Sequence, residues 1–118
     1  METRAIQRHV RQSPRKMRLV ADLIRGKNVN EAYAILRFTK KHAAKQIEKT
    51  LRSAVANAEQ AALKANESLD VDQLVVTRAM INMGTPLKRF MPAAQGRGVP
   101  LKKRTSHVEI HVGTKESK

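Results

Sequence analysis

Residues 83–105 read MGTPLKRFMPAAQGRGVPLKKRT, and their character sets how the rest of the chain is to be read. The stretch holds three prolines, three glycines and six Lys/Arg, with no acid. It has no helical or strand periodicity of its own, whereas its flanks do. Leu74 to Ile81 is β-branched and apolar enough for a strand. On the other side Val108, Ile110 and Val112 alternate with His107, Glu109 and His111, the period of two that marks a half-buried strand. A long structureless loop inside a compact domain is uncommon, and where one occurs it is usually functional. The stretch is therefore expected to project as an arm spanning about 82–104. If both strands continue outward as a hairpin, each leg of roughly ten residues reaches on the order of 30 Å, comparable with the diameter of the core.

Upstream of the arm the pattern is helical. In SPRKMRLVADLIRG, Ser13 suits an N-cap, Pro14 the first helical position and Gly26 a helix stop, with Met17, Val20, Ala21 and Ile24 forming one apolar stripe. Asn30 can cap a second, shorter helix that buries Ala32, Tyr33, Leu36 and Ile35 and ends near Phe38 and Thr39. From about Lys41 to Lys64 apolar residues recur at Ala44, Ile47, Leu51, Ala54, Val55, Ala58, Ala61 and Ala62, the spacing of a long amphipathic helix. Residues 65–70 read as a loop. No internal repeat or low-complexity linker appears, and the closing GTKESK reads as a frayed tail. At 118 residues the chain is expected to form one domain, 1–118.

The charge narrows the partner. With 24 Lys+Arg against 10 Asp+Glu the net charge is +14 and the pI near 11.0, more than solubility needs. The excess is spread along the chain and no apolar anchor accompanies it, so nucleic acid is expected and a membrane is not. There is no cysteine, which excludes disulfides, thiolate metal sites and cysteine nucleophiles and fits a reducing cytosolic setting. The first residues lack a signal-peptide core, so a soluble, unprocessed protein is expected.

Basic residues fall into three groups. In the arm Lys88, Arg89, Arg97, Lys102, Lys103 and Arg104 stand without acids, and phosphate contact is the expected role, with Gly96 and Gly98 letting the backbone beside Arg97 approach another backbone closely. Around the first helix lie Arg4, Arg8, Arg11, Arg15, Lys16, Arg18, Arg25 and Lys27, about half of which are expected to reach phosphate. Lys41, Lys45, Lys49 and Arg52 on the third helix read equally well as a phosphate ridge or a solvated face. Tyr33 and Phe38 are expected in the core, leaving Phe90 alone as a stacking group, too few aromatics for a platform that reads single strands. Recognition of folded RNA by shape and phosphate is expected. His9, His42, His107 and His111 lack the ligand set of a zinc site, and no phosphate loop, dinucleotide glycine signature or apolar carboxylate pair is present. No metal, cofactor or active site is expected.

Four blocks in this order, SPRKMRLVADLIRGK at 13–27, SAVANAE at 53–59, LKRFMPAAQGRG at 87–98 and KKRTSHVEI at 102–110, closely resemble the bacterial large-subunit ribosomal protein twenty-two family over nearly the whole chain. The resemblance implies an α+β fold, three helices packed on a small three-stranded antiparallel sheet with a long protruding β-hairpin. It implies a structural constituent of the cytoplasmic ribosome that binds large-subunit ribosomal RNA during assembly, beside neighbouring ribosomal proteins and without homo-oligomerisation. The hairpin would form part of the peptide exit tunnel wall and meet the nascent peptide. By that resemblance Ser13, Arg15, Lys16 and Arg18 would bind RNA at the first helix, and Lys102, Lys103, Arg104, Ser106 and His107 on the returning leg; with Arg11, Arg25, Lys27, Lys88, Arg89 and Arg97 they complete the expected RNA-binding set. Arg89, Phe90, Met91, Pro92, Ala93, Ala94, Gln95, Gly96 and Arg97 would line the tunnel. Ala93 and Gln95 stand where the family commonly carries Arg and Lys, and Gly98 where it carries Ala, so the tip is less charged here. The rival from another class is an architectural DNA-binding dimer with basic β-arms and a proline wedge, for which Pro92 would serve.

Overall fold

The computed structural model describes residues 2–92 and 94–114. In chain order they form strand β1 (Glu2–Val10), helices α1 (Pro14–Ile24), α2 (Val29–Phe38) and α3 (Ala43–Lys64), a 3-10 turn at Val71–Gln73, and strands β2 (Leu74–Met83), β3 (Leu87–Pro92), β4 (Gly98–Lys103) and β5 (Ser106–Thr114). The fold is α+β, with a three-stranded antiparallel sheet in the order β1-β5-β2 and a separate two-stranded sheet of β3 and β4.

Each helix buries the stripe its spacing dictates. Pro14 at the start of α1 has no N–H to lose, and Met17, Val20, Ala21 and Ile24 are fully buried one turn apart. Burying a side chain of that size contributes roughly 1.5–3 kcal/mol relative to leaving it exposed. The helix stops because Gly26 turns to φ +74°, a conformation costly for any residue with a Cβ. The Gly26 N–H then donates to Val76 O (3.0 Å) and the Val76 N–H to Lys27 O (2.9 Å), which fixes the exit of α1 against β2. In α2 the cap is Asn28 and not Asn30: the Asn28 carboxamide accepts from the Asn30 N–H (2.9 Å), while both asparagines donate to Asp72, Asn28 to its carbonyl and Asn30 to its carboxylate. Two positions earlier than expected, the cap doubles as a tie to the 70–73 turn. In α3 the expected stripe is buried except Ala61, which is only half-buried.

β5 is the central strand and carries Val108, Ile110 and Val112 into the core at full burial. It runs on through Gly113 and Thr114, so those two residues belong to the sheet and not to a frayed tail; residues 115–118 lie outside the described residues. β1 is held to α3 mainly by polar ties. Gln7 donates to Gln46 (2.8 Å) and accepts from the Thr50 hydroxyl (2.9 Å), Thr3 donates to Ala54 O (3.2 Å) and Asn57 to Arg4 O (2.8 Å). A bulge between Gln7 and Val10, with His9 at φ +58°, bends its end toward the arm.

The arm is regular where the sequence offered no periodicity. β3 and β4 pair from Leu87↔Lys103 out to Pro92↔Gly98, closed by a turn in which Gln95 and Gly96 both take positive φ. It is a sheet of its own because Gly84–Pro86 and Arg104–Thr105 break the ladder between it and the core sheet. The described residues extend 67 × 28 × 19 Å with a radius of gyration of 17.6 Å, against about 13–14 Å for a compact chain of this length. β3 and β4 pack chiefly on each other. A lone two-stranded hairpin is marginal in water. This one also sets Lys88 directly opposite Lys102, a like-charge pair that opposes the hairpin unless an anion screens it.

Candidate nucleic-acid interface

The arm root is a meeting point of distant segments. Pairing of Val10 with Ser106 brings the β1–α1 turn beside the start of β5, and the Ser106 hydroxyl donates to Gln12 O (2.6 Å) across that junction. Thr105 donates to Thr85 O (2.8 Å) while the Gly84 N–H donates to Thr105 O (2.9 Å), closing the root from the other leg. Gly84 is required there by contact: a Cβ would fall 2.4 Å from Thr105 Oγ1.

The result is a cleft of about 460 Å³ lined by Arg11, Gln12, Ser13, Lys16, His42, Lys102, Lys103 and Arg104. Five of the eight lining residues are Lys or Arg and none is acidic, so its potential is strongly positive. None of those five spends its side chain on a hydrogen bond or ion pair among the described residues. Ser13 makes no side-chain cap bond, which leaves its hydroxyl available, and the first-turn amides of Arg15 and Lys16 have no partner within α1. The cleft can hold phosphates by charge, hydroxyl and amide together. It offers no carboxylate or paired base for chemistry.

Six residues named from the sequence thus converge: Arg11, Ser13, Lys16, Lys102, Lys103 and Arg104. Arg15 is exposed beside them. The others lie elsewhere. Arg18 donates through Nε and Nη2 to Ile81 O (3.3 and 3.1 Å), and Arg25 donates to Ala79 O (2.8 Å) and pairs with Asp22, so both fasten α1 to β2 before they can serve a ligand. Lys27 is exposed at the far end of α1. Ser106 departs most from expectation: it is fully buried with its hydroxyl committed to Gln12, so it holds the cleft's wall and presents nothing to RNA. His107 is half-buried and its Nδ1 accepts from the His9 N–H (3.1 Å), the two rings meeting edge to face at 5.1 Å.

Lys88, Arg89 and Arg97 are exposed along the arm, with Phe90, Met91, Pro92, Gln95 and Gly96. Ala94 belongs to the turn, and Ala93 lies outside the described residues. Gly96 owes its place to the positive φ of that turn, whereas at Gly98 a Cβ would make only an ordinary contact, 3.7 Å from Phe90 Cδ1. Sequence reasoning missed Gln12 and His42 in the cleft. It also misplaced Phe38, which is 82% exposed and not in the core. Tyr33, expected in the core, is only half-buried against it; burial pushes its phenol above the usual range, Arg52 opposes this, and Glu48 and Glu59 add to it.

The outer sheet face contrasts with the cleft. Arg4 pairs with Glu109 (3.1 Å) and the His111 ring meets the Glu2 carboxylate (3.0 Å), so acids stand among the cations there. On α3, Arg52 pairs with Glu48 (2.8 Å). Among the described residues no three His, Cys, Asp or Glu cluster as metal ligands, and no helix is long and apolar enough to cross a membrane.

An α+β core that gathers unspent cations around the root of an acid-free arm defines a class, proteins that dock on a polyanion. Comparison makes the class particular. Residues 5–113 match the family described as Ribosomal protein L22p/L17e. The chain is 55% identical over 112 residues to Large ribosomal subunit protein uL22 of Clostridium novyi (strain NT), covering 95% of this chain and 96% of the relative. It is 52% identical over 118 residues to the protein of the same name from Macrococcus caseolyticus (100% and 91%), and 49% over 116 residues to that of Oceanobacillus iheyensis (98% and 98%). The chain belongs to this family of ribosomal proteins, which are structural and not enzymes.

Proposed function

We propose that the chain is a structural constituent of the large ribosomal subunit, a single domain that binds and organises large-subunit ribosomal RNA during assembly. The observation that carries this reading is the arm-root cleft, where cations from the β1–α1 turn, α1 and β4 face one another without an acid. RNA segments arriving from different directions can share that cleft, each phosphate replacing condensed counterions. Arg11, Ser13, Arg15, Lys16, Lys102, Lys103 and Arg104 make the principal contacts, and Lys88, Arg89 and Arg97 extend them along the arm. Lys27 contributes at the edge of α1 and His107 from the root; Arg18 and Arg25 act chiefly by fastening α1 to β2, and Ser106 only by holding the wall.

The arm, about 82–104, is the part that reaches into RNA, and its distal half, Arg89 to Arg97, forms part of the exit tunnel wall where a nascent peptide passes. Its reach beyond the core supports this, as does a cross-strand Lys88–Lys102 pair that favours an anionic surrounding. Neighbouring ribosomal proteins complete its setting, and the chain does not act as a homo-oligomer.

The isolated protein is expected to bind structured RNA with an affinity that falls steeply with salt. Five cleft cations engaging phosphates correspond to a slope of log K against log salt near −4. Filter binding between 50 and 200 mM salt, over which affinity should drop by roughly two orders of magnitude, checks this; a flat affinity contradicts it.

A further inference from the structure

Phe38 is the most exposed large apolar side chain among the described residues, at 82%. It closes α2, where the Thr39 N–H and hydroxyl both bond Ile35 O (3.0 and 2.6 Å), so the ring stands on a fixed helix end and not on a loose loop. Beside it a concavity of about 660 Å³ separates the end of α2 from the start of α3, lined by Arg37, Lys40, Lys41, His42 and Lys45. Glu48 also lines it, but is paired with Arg52. His42 lines this concavity and the arm-root cleft alike, so one cationic surface runs from the arm root across His42 to Phe38.

An exposed ring surrounded by cations suits one ligand chemistry. A protein partner would need a wider apolar patch, and a lipid surface more than one ring. A nucleotide presents a π-face to the ring and a phosphate to the lysines at once. We propose that Phe38 is a stacking site for a single unpaired nucleotide of RNA, with Lys40, Lys41 and Lys45 holding its flanking phosphates. This rests on the RNA-binding reading and adds to it a second contact, specific for unpaired bases, which the double-helical part of a folded RNA does not satisfy. One ring takes one base, consistent with folded RNA from which a nucleotide protrudes.

The test uses the full chain with two probes, a single-stranded oligouridylate and a fully paired RNA duplex of the same length. Because Phe38 is exposed, its replacement should leave thermal unfolding unchanged. Phe38→Ala should weaken oligouridylate binding about tenfold and leave duplex binding unaltered. Phe38→Leu should lose as much, since an aliphatic side chain fills space without stacking. In a Phe38→Trp variant, oligouridylate should quench tryptophan emission and the duplex should not. If Phe38→Ala binds both probes as the parent does while replacement of Lys102, Lys103 and Arg104 still weakens both, RNA binding stands and the stacking site is wrong. If Phe38→Leu retains full affinity, the ring is an apolar contact for another molecule and the proposal is overturned. If the parent binds neither RNA, the wider reading fails first.

Discussion

Replacing Lys102, Lys103 and Arg104 together by alanine is expected to lower affinity for structured RNA by roughly a hundredfold near 0.1 M salt and to make the salt slope shallower by about two. The three belong to the cleft, are exposed, and their side chains bond nothing among the described residues, so truncating them leaves internal ties in place. The fold should therefore survive, and the far-ultraviolet spectrum should not change. Lys64, exposed at the end of α3 and away from the cleft, is the control. Lys64→Ala should leave affinity within about twofold of the parent, well short of the roughly fivefold per charge expected in the cleft. Equal losses per charge at both places would mean that the protein binds by net charge alone and that the cleft is not a site.

The second large effect is on folding. Gly84→Ala is expected to destabilise the protein by about 2–4 kcal/mol, the sum of overpacking and a strained buried hydrogen bond. A Cβ at Gly84 would sit 2.4 Å from Thr105 Oγ1, 3.2 Å from His107 Cε1 and 3.3 Å from the Thr105 carbonyl carbon. Thr105 is buried and its hydroxyl is held by Thr85 O, so it cannot swing away without losing that bond. The arm root must open instead. Urea unfolding measures the loss, and a double variant identifies its cause. Adding Thr105→Ala removes the clashing oxygen, so the Gly84→Ala, Thr105→Ala protein should be more stable than Gly84→Ala alone. Additive losses would show that the hydroxyl is not the obstacle.

How far the sequence reaches depends on which force holds each element. α1 and β5 were legible because apolar burial holds them: Met17, Val20, Ala21 and Ile24 fall at helical spacing, and Val108, Ile110 and Val112 at a spacing of two. The family resemblance supplied a third strand, but the residues of β1 did not reveal it. Only Ala5 and Val10 are buried in that strand, and Gln7, Thr3 and the Arg4 carbonyl tie it to α3 by hydrogen bonds that leave no periodic trace. The arm's pairing was hidden for a similar reason, since both of its faces are exposed and nothing selects one side for apolar residues.

Phe38 misled because an aromatic ending an amphipathic helix reads as core. It lies two residues beyond buried Leu36, which at roughly 100° per residue turns it to the opposite face. Ser106 misled in the other direction, a polar residue in a basic block that the fold uses as an internal tie. The cleft itself was legible as a list of cations but not as a place. Residues 11–16, 42 and 102–104 meet only because the β1-β5-β2 order sets Val10 against Ser106, and no local pattern encodes that register.

The most direct test of the account is crosslinking in lysate followed by gradient fractionation, sequencing of the attached RNA and mapping of the attached peptides. The account predicts that the protein travels with large ribosomal subunits, and that crosslinks to their RNA come from both residues 11–16 and the 84–104 arm. Recovery as a free dimer on DNA, or on large subunits with neither segment crosslinked, would contradict it.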